Sequence, residues 1–549
     1  MIPRITAVCQ LLFLLCLSPL ARAQRDYQNY EQLTARLKKM SLQYSRLCTV
    51  TSIGKTATGK EIWLITLGRE NAANKPAILI AAGVQATQLA TTEVAVQMAE
   101  QMLVSAILHD STDHLLRTKT FYILPNLNPD ASEQYHEQVR WERTGNAQPR
   151  DDDRDGRIFE DPYEDLNNDG LITMLRVEDT LGTHRVSAFD KRVMTQVNKS
   201  KGEKGTHFLI TEGLDNDKDG LFNEDAEGGV NFNKNFTFNY QAFQRETGEH
   251  ALSERETKAF ADFMLSARNV HSVFVFGPAT TLLQAQTAVK PEVNNKAVLQ
   301  AAAQDDSTRR QVINLYEKVV PTENAPIIAP EGGDVVQWAH LHNGRFSYST
   351  PAWWVPQLST LPQGTTTEQE RNDISFLEWA AAHNMTGIFL PWTAIQHPDF
   401  PDKKVELGGF APYAQNTPPV HLLGPVAKNH LRFMTLYSNQ MPKLQILNLK
   451  ADRTKDGNTR ISAEVQNTGQ LPTHASIGDY LPWIQKIKVA VKLEEGQQLL
   501  QGKPVHTFNA LGGGEKVKVS WEVSGSGYVI IEAKSPTAGS QSKQLALKQ

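Results

Sequence analysis

The stretch Ala77-Ile78-Leu79-Ile80-Ala81-Ala82-Gly83 is a continuous apolar run that ends in a glycine. Such a run is typical of a short strand that is buried on both faces of a sheet. Helical apolar spacing follows over residues 90–108, and further strands are predicted at 121–124, 270–276 and 387–390. Strands that alternate with helices predict an α/β fold, in which a mixed, mostly parallel sheet is flanked by helices.

The sequence pattern changes beyond Met441. The apolar runs become short and alternating or β-branched, and Gly and Asn residues separate them. This spacing is typical of a small β-sandwich. We therefore predict an α/β domain over residues 24–440 and a β-sandwich domain over residues 441–549, an organisation for which 549 residues are sufficient.

The composition argues against two classes of protein. The 60 acidic residues outnumber the 56 basic ones, and a net charge of −4 argues against a nucleic-acid binder that neutralises phosphates. Three cysteines are too few for a disulfide framework, and two of them, Cys9 and Cys16, lie close to the N-terminus. The 40 % of apolar residues predict a globular chain with a sizeable core.

The first 23 residues have the pattern of a signal peptide. Arg4 supplies a positive charge, residues 11–20 are mostly apolar, and Ala21-Arg22-Ala23 resembles a cleavage site. The apolar segment is shorter than a membrane-spanning helix requires, and no long apolar run follows it. We therefore expect export to a periplasm or to the outside of the cell, without a membrane span.

Three acidic loops between residues 151 and 226 share the spacing Asp-x-Asp/Asn-x-Asp-Gly. Alternating oxygen ligands with a glycine at the turn suit a hard cation such as Ca²⁺. The loops lack the Glu that an EF-hand requires at position twelve, so we predict structural calcium sites of another kind, the alternative being solvated acidic loops. The candidate ligands are Asp151, Asp153, Asp155, Glu160, Asp161, Asp165, Asn167, Asp169, Asp215, Asp217, Asp219, Glu224 and Asp225.

Several motifs in one order resemble the zinc metallocarboxypeptidase family, in particular its large secreted bacterial members. They include Pro125-Asn126-Leu127-Asn128-Pro129-Asp130 after a predicted strand, and Gly228-Gly229-Val230-Asn231-Phe232-Asn233-Lys234-Asn235-Phe236 after the acidic loops. A third motif is Val405-Glu406-Leu407-Gly408-Gly409-Phe410. The resemblance covers residues 27–437 and implies the family's α/β fold.

The resemblance also implies where the zinc chemistry would lie. In the family, a His-x-x-Glu after the buried strand and a later His bind zinc, and a separate Glu is the general base. The corresponding positions here are Gln85, Gln88 and Gly277 for zinc and, by ungapped counting, Ala394 for the base. Lys234 matches the Arg that binds the substrate's terminal carboxylate. Zinc is therefore not expected.

The substitutions predict an exported, catalytically inactive homologue. Asn233, Lys234 and Asn235 are the residues expected to bind a peptide C-terminus or another small anion. Arg140 and Arg143 are both candidates for the arginine that steadies an oxyanion, and His271 is interpreted as a histidine satisfied by local hydrogen bonds. Two alternatives remain open: an active zinc metallocarboxypeptidase with unrecognised ligands, and a cell-envelope adhesion or assembly module.

Overall fold

The computed structural model describes residues 27–149, 151, 156–223, 228–283, 296–323, 325–356 and 366–547. The predicted signal peptide, residues 1–23, lies outside these residues. The helices are α1 (Tyr30–Gln43), α2 (Leu89–Leu108), α3 (Asp110–Thr118), α4 (Pro129–Ser132), α5 (Arg255–Ser266), α6 (Lys296–Glu317), α7 (Val335–Gln337), α8 (Glu368–Ala382) and α9 (Leu423–Gln440). In the part of the chain just defined, no helix has both the length and the apolarity that crossing a membrane requires.

Within the described residues the strands form four sheets. In chain order they are β1 (Cys48–Lys55), β2 (Glu61–Leu67), β3 (Ala77–Ala81), β4 (Thr120–Leu124), β5 (Met174–Glu178), β6 (His184–Val186), β7 (Met194–Gln196), β8 (His207–Thr211), β9 (Val270–Phe276), β10 (Phe346–Thr350), β11 (Phe389–Ile395), β12 (Val405–Phe410), β13 (Leu444–Arg453), β14 (Thr459–Asn467), β15 (Ile487–Lys492), β16 (Gln498–Gln501), β17 (Val505–Phe508), β18 (Lys516–Ser524), β19 (Gly527–Ser535) and β20 (Gly539–Leu547).

The predicted buried strand is β3, and all five of its residues are buried. It lies inside a six-stranded sheet with the order β1-β2-β4-β3-β9-β10. The pairings of β4 with β3, β3 with β9 and β9 with β10 are parallel, whereas β1–β2 and β2–β4 are antiparallel. The mixed, mostly parallel sheet predicted from the sequence is therefore confirmed.

Helices cover both faces of this first sheet. Side chains alternate between the two faces along a strand, so Ile78 and Ile80 enter the core that contains α2 and α9. Leu79 enters the opposite core, together with Phe260 of α5. The open edge at the C-terminal ends of β3, β9 and β10 is where ligand clefts form in α/β sheets.

A second six-stranded sheet was not predicted. Its order is β11-β12-β5-β8-β6-β7, and its pairings are antiparallel. The strand predicted at residues 387–390 is β11, so it belongs to this sheet and not to the parallel one, which corrects the prediction. β6 and β7 have three residues each, too few to show an alternating pattern in the sequence.

The C-terminal strands form a β-sandwich, as the sequence predicts. One sheet has the order β13-β14-β18-β16 and the other β17-β15-β19-β20. In β14, Ile461, Ala463 and Val465 are buried and alternate with more exposed residues. These side chains share one core with Trp521 of β18 in the same sheet and with Ile531 of β19 in the opposite sheet.

Residues 471–484, between β14 and β15, pack against the α/β unit and are called the anchoring segment here. Leu471, Ala475 and Ile477 are buried in the core that contains α2 and α9. The backbone N and Oγ of Ser476 donate to Asp305 of α6, at 3.0 and 2.7 Å. The sandwich is therefore joined to the α/β unit by a shared core, and not by a flexible linker alone.

Candidate functional site

A cavity of about 400 Å³ opens at the C-terminal edge of the first sheet and is called the cleft here. Gln85 and Gln88 follow β3, and Pro278 follows β9, so the parallel strands bring these residues to one place. Further parts of the wall are formed by Asn231, Asn233, Lys234 and Glu246. The cleft therefore contains the segments that the resemblance assigns to zinc and to the substrate's carboxylate.

The turn between β3 and α2 requires a glycine. Gly83 has a φ of +64°, and a Cβ at this position would lie 2.7 Å from Cα of Asn126. The amide of Gly83 donates to Oγ1 of Thr91 at 3.1 Å, inside the first turns of α2. The turn therefore fixes the direction in which Gln85 and Gln88 enter the cleft.

The three predicted zinc positions carry no side chain that suits the metal. Oε1 of Gln85 accepts a hydrogen bond from Nδ2 of Asn231 at 3.4 Å, and the buried Oε1 of Gln88 has no hydrogen-bond partner among the described residues. At Gly277, a Cβ would lie 2.7 Å from Cγ2 of Val84. Protein zinc sites use His, Cys and carboxylate ligands, so the residues present do not fit a zinc ion.

No other trio of ligands replaces them within the described ranges. There, His, Cys, Asp and Glu side chains converge in threes only at Asp215, Asp217 and Asp219, which belong to an acidic loop. His271 is fully buried at the start of β9, where Nε2 donates to the carbonyl oxygen of Pro472 at 2.9 Å. The interpretation of His271 as a histidine satisfied by local hydrogen bonds is confirmed.

Ala394 lies away from the cleft. It is on β11 of the second sheet, opposite Glu406 of β12, and it is not among the residues that line the cleft. The assignment of Ala394 to the base position by ungapped counting is therefore corrected. The strand that ends beside Gly277 is β10, since the amide of Gly277 donates to the carbonyl oxygen of Thr350 at 3.2 Å. Pro351 follows Thr350, so this end of β10 offers no carboxylate base.

Lys234 reaches the cleft and is already paired with an acid of the same chain. Its Nζ lies 2.8 Å from Oε2 of Glu246, and both side chains are partly exposed. Oε1 of Glu246 accepts a hydrogen bond from Oγ1 of Thr144. Glu246 has a φ of +65°, a left-handed conformation that non-glycine residues adopt at a cost. An internal carboxylate therefore lies next to the cation that was expected to bind a ligand's carboxylate.

The two neighbouring asparagines are used inside the protein. Nδ2 of Asn233 donates to Asp334 at 2.9 Å, and Oδ1 accepts from the amide of Val335 at 3.2 Å. Asn235 is fully buried and does not line the cleft. The prediction that Asn235 binds a ligand is corrected, because its side-chain amide forms hydrogen bonds that hold the following loop in place. Its hydrogen-bond partners are Thr247, His250, Ser253, Glu254 and Thr257.

Neither candidate oxyanion arginine is among the cleft-lining residues. Nε and Nη2 of Arg143 donate to the carbonyl oxygens of Gly145 and Asn146, at 3.2 and 2.8 Å. The backbone of Arg140 pairs with the segment around Leu171. The geometry therefore assigns the role to neither of them.

Four polar residues of the cleft were missed from the sequence: Thr144, Glu246, Glu331 and Asp334. Asp334 is 1 % exposed, and burial raises its pKa to about 6. Its Oδ1 accepts from the amide of Val336 at 2.6 Å at the start of α7, so its position before an apolar run was a detectable N-cap signal. Glu246 lies in a loop and carries no such signal.

The acidic loops lie beside the second sheet, partly within the described ranges. Asp153, Asp155, Glu224 and Asp225 fall outside the described residues. Asp151 accepts from the amide of Gly156 at 3.0 Å, and Glu160 is half-buried. Asp161 is fully buried, and its carboxylate accepts from the amides of Asn216 and Asn223, which joins the first loop to the third.

In the second acidic loop, backbone amides donate hydrogen bonds to the side chains of the same loop. Asp165 accepts from the amides of Asp169 and Gly170 at 3.1 and 2.7 Å. Asn167 accepts from the amide of Asp169 at 3.0 Å, and Asp169 accepts from that of Leu171 at 2.8 Å. These side chains therefore shape the turn, whether or not a cation is bound.

The third acidic loop brings three carboxylates together. One oxygen each from Asp215, Asp217 and Asp219 lies within 4.8 Å of the others. Oδ1 of Asp215 is buried and has no hydrogen-bond partner among the described residues. Oxygen ligands at this spacing are compatible with a hard cation such as Ca²⁺.

Comparison with known proteins gives two family matches. A sequence profile described as zinc carboxypeptidase matches residues 33–352, and a domain of unknown function matches residues 443–546. The carboxypeptidase B of Astacus astacus is 26 % identical over 105 residues, 19 % of this chain and 33 % of that protein. The zinc carboxypeptidase of Saccharothrix mutabilis subsp. capreolus is 23 % identical over 109 residues, 20 % of this chain and 25 % of that protein.

A solved structure is also similar to the chain. The carboxypeptidase A from Helicoverpa armigera has 15 % sequence identity and a TM-score of 0.37, and the match covers 65 % of this chain and 72 % of that one. The chain spans at most about a third of the length of the curated relatives that it matches. The family profile, however, extends over more than half of the 549 residues, and the protein belongs to the zinc carboxypeptidase family.

Proposed function

We propose that this protein is an exported, catalytically inactive member of its family that binds a peptide C-terminus or another small anion. The observation that carries the proposal is the set of residues at the three zinc positions. Two neutral carboxamides, Gln85 and Gln88, and a glycine, Gly277, stand where the family uses imidazole and carboxylate ligands.

The chemistry of the family explains why this set matters. Zinc lowers the pKa of its bound water and polarises the scissile carbonyl, and a carboxylate takes up the proton. A carboxamide does not activate a water molecule and does not take up its proton. The end of β10 carries Thr350 and Pro351 where a base would be needed. We therefore derive no hydrolytic step for this cleft.

Binding is the function that the remaining groups support. Lys234 is a cation in a cleft whose walls also carry three acids, Glu246, Glu331 and Asp334, beside amides, hydroxyls and small apolar groups. A ligand's carboxylate would take the place of the Glu246 carboxylate at Nζ of Lys234, an exchange of one ion pair for another. Such an exchange favours weak, reversible binding, because each new contact costs an existing one.

Metal content and peptide release test the proposal together. The full chain, purified without chelator, is expected to contain far less than one zinc per molecule by mass spectrometry and to release no residue from peptides with a free C-terminus. A working carboxypeptidase assayed in parallel is the positive control. Stoichiometric zinc with release of C-terminal residues would make the protein an active enzyme and overturn the proposal.

We also propose that the third acidic loop binds Ca²⁺ in a structural role. Asp215, Asp217 and Asp219 supply three oxygens, and the buried Oδ1 of Asp215 lacks a hydrogen bond that a cation would replace. Crowded carboxylates repel one another unless a cation or a proton is present. Calcium binding is independent of the cleft, so either proposal can fail without the other.

A further inference from the structure

A second cavity, of about 990 Å³, is larger than the cleft. It lies against β5, β6 and β8 of the second sheet and is called the lateral cavity here. Glu142 and Gln415 line it, while Thr144 and Asn416 line the cleft, so the two cavities lie on either side of the same chain segments. A concave site of this size is the usual place for a small-molecule ligand.

Two carboxyl groups are fixed at one end of the lateral cavity by a single segment, residues 413–415. Oε1 of Glu142 accepts from the amide of Tyr413 at 2.8 Å, and Oδ1 of Asp373 accepts from Nε2 of Gln415 at 2.7 Å. Nε2 of Gln369 donates to the same Oδ1 of Asp373 at 2.8 Å. The other oxygen of each carboxyl group receives no hydrogen bond from a described residue and is available to a ligand.

The charged groups in the walls of the lateral cavity are two acids, Glu142 and Asp373, and one lysine, Lys199. Burial raises the pKa of Asp373 to about 6 and lowers the pKa of His184. Nζ of Lys199 donates to the carbonyl oxygen of Leu181 at 2.9 Å. An anionic ligand would therefore meet two carboxyl groups and one engaged cation, whereas uncharged hydroxyl groups can donate to the carboxyl oxygens.

Hydrogen-bonding and aromatic groups dominate the remaining wall. Trp141 and Tyr163 are stacked, with ring centroids 4.1 Å apart and an interplanar angle of 28°. Four side-chain amides supply donors and acceptors in the same cavity: Gln196, Asn198, Gln369 and Gln415. Amides and carboxyl groups pair well with neighbouring hydroxyls, and an aromatic ring packs against the apolar face of a sugar.

We infer that the lateral cavity binds a neutral, hydroxyl-rich ligand of the carbohydrate class, with Glu142 and Asp373 accepting hydrogen bonds from its hydroxyl groups. The volume of about 990 Å³ accommodates several sugar units. This inference does not depend on the proposed function, because the probe described next has no charge and the two sets of residues differ.

Calorimetric titration of the full chain with three neutral tetrasaccharides tests the inference: cellotetraose, maltotetraose and tetra-N-acetylchitotetraose. At least one is expected to bind saturably at micromolar to millimolar concentration. Thr211 lies on β8 and lines the cavity, so Thr211→Trp fills part of it and should weaken binding by about tenfold or more. Asp373→Asn, which keeps the size of the side chain, should weaken it to a lesser degree.

The controls keep the test decisive. Asp452→Asn changes an exposed carboxylate on the β-sandwich and should leave binding unchanged. Thermal unfolding of each variant confirms that it is folded. The inference is overturned if none of the three sugars binds, if binding survives Thr211→Trp in a folded variant, or if N-acetyl-tetra-alanine amide binds in place of the sugars.

Discussion

Glu246 decides how available Lys234 is to a ligand. Glu246→Gln removes the negative charge that now neutralises Lys234 and keeps the side chain's shape. The affinity for a peptide with a free C-terminal carboxylate should therefore rise, by about tenfold, since a charge-assisted hydrogen bond contributes about 1.5–3 kcal/mol. Isothermal titration calorimetry measures the change.

Two controls accompany this variant. The same peptide with an amidated C-terminus should bind equally poorly to both proteins, and Lys234→Met should abolish the difference between the two peptides. An unchanged affinity in Glu246→Gln would mean that Lys234 does not recognise a carboxylate.

His271 makes the stability of the fold depend on pH. Burial lowers its pKa to about 3, and the nearby cations Lys119 and Arg345 also disfavour a positive charge. An unfolded histidine has a pKa of about 6.5, so the unfolded chain takes up the proton first as the pH falls. Stability from this group is complete above about pH 6.5 and decreases towards pH 3.

Urea unfolding at pH 7 and pH 5 tests this prediction. Wild type should lose about 2 kcal/mol more of its unfolding free energy between these values than His271→Gln does. Gln can still donate to the carbonyl oxygen of Pro472, so the fold should survive. Since His430, with a pKa lowered to about 4, is present in both proteins, its contribution cancels. Equal losses of unfolding free energy in both proteins would contradict the assignment of this pH dependence to His271.

Individual cleft residues could be predicted only in part. Gln85 and Gln88 reach the cleft as expected because they directly follow a buried strand, whose end position the sheet determines. Glu246 could not be predicted, since its loop reaches the cleft through tertiary contacts and a left-handed backbone. Ala394 was misplaced because counting along the chain ignores which sheet a strand joins.

The third acidic loop should respond to calcium. Adding Ca²⁺ at about 100 times its dissociation constant should stabilise the chain by about 2.7 kcal/mol, and chelation should reverse the effect. Asp217→Asn, at an exposed position of the trio, should reduce the rise in melting temperature, whereas Asp452→Asn should not. If neither calcium nor chelator changes the melting temperature, the loop holds no cation.

The anchoring segment should stabilise both units at once. Ile477 is 3 % exposed in the core that contains α2 and α9, so Ile477→Ala should cost about 2–5 kcal/mol of unfolding free energy. Ile530→Ala, at a position 40 % exposed on β19, is the matched control and should cost much less. Thermal unfolding followed by circular dichroism measures both. A small loss in Ile477→Ala would mean that the segment packs loosely in solution.

Elements with a strong periodic pattern were the ones that the sequence predicted. β3 and β9 agree with the predicted runs within one residue, because strands buried on both faces read as continuous apolar segments. β5 to β8, which lie between the second and the third acidic loop, were missed because they are short. The anchoring segment was also missed, because its apolar residues have no regular spacing.

Restoring zinc requires more than the three original ligands. Gln85→His, Gln88→Glu and Gly277→His together supply the family's donors, but a Cβ at position 277 would lie 2.7 Å from Val84. We therefore expect weak zinc uptake from the triple variant and stronger uptake once Val84→Ala is added. Metal analysis after dialysis measures both. Equal uptake with and without Val84→Ala would contradict the steric argument.

The overall architecture was the most predictable level. Alternating strands and helices, followed by short β runs, were sufficient to predict an α/β unit and a sandwich. What the sequence did not reveal is how the two units meet, because Leu471 and Ala475 pair with residues far away in the chain. Contacts of that kind arise from three-dimensional packing and leave no local pattern.

The anchoring segment has a consequence for biosynthesis. During synthesis of the polypeptide, α2 and α9 are made before Leu471, Ala475 and Ile477. The nascent α/β unit therefore exposes an apolar gap until these residues are made, and such a state is prone to bind chaperones or to aggregate. Shortened forms that end near residue 440 would keep that gap permanently, so this chain is best produced at its full length.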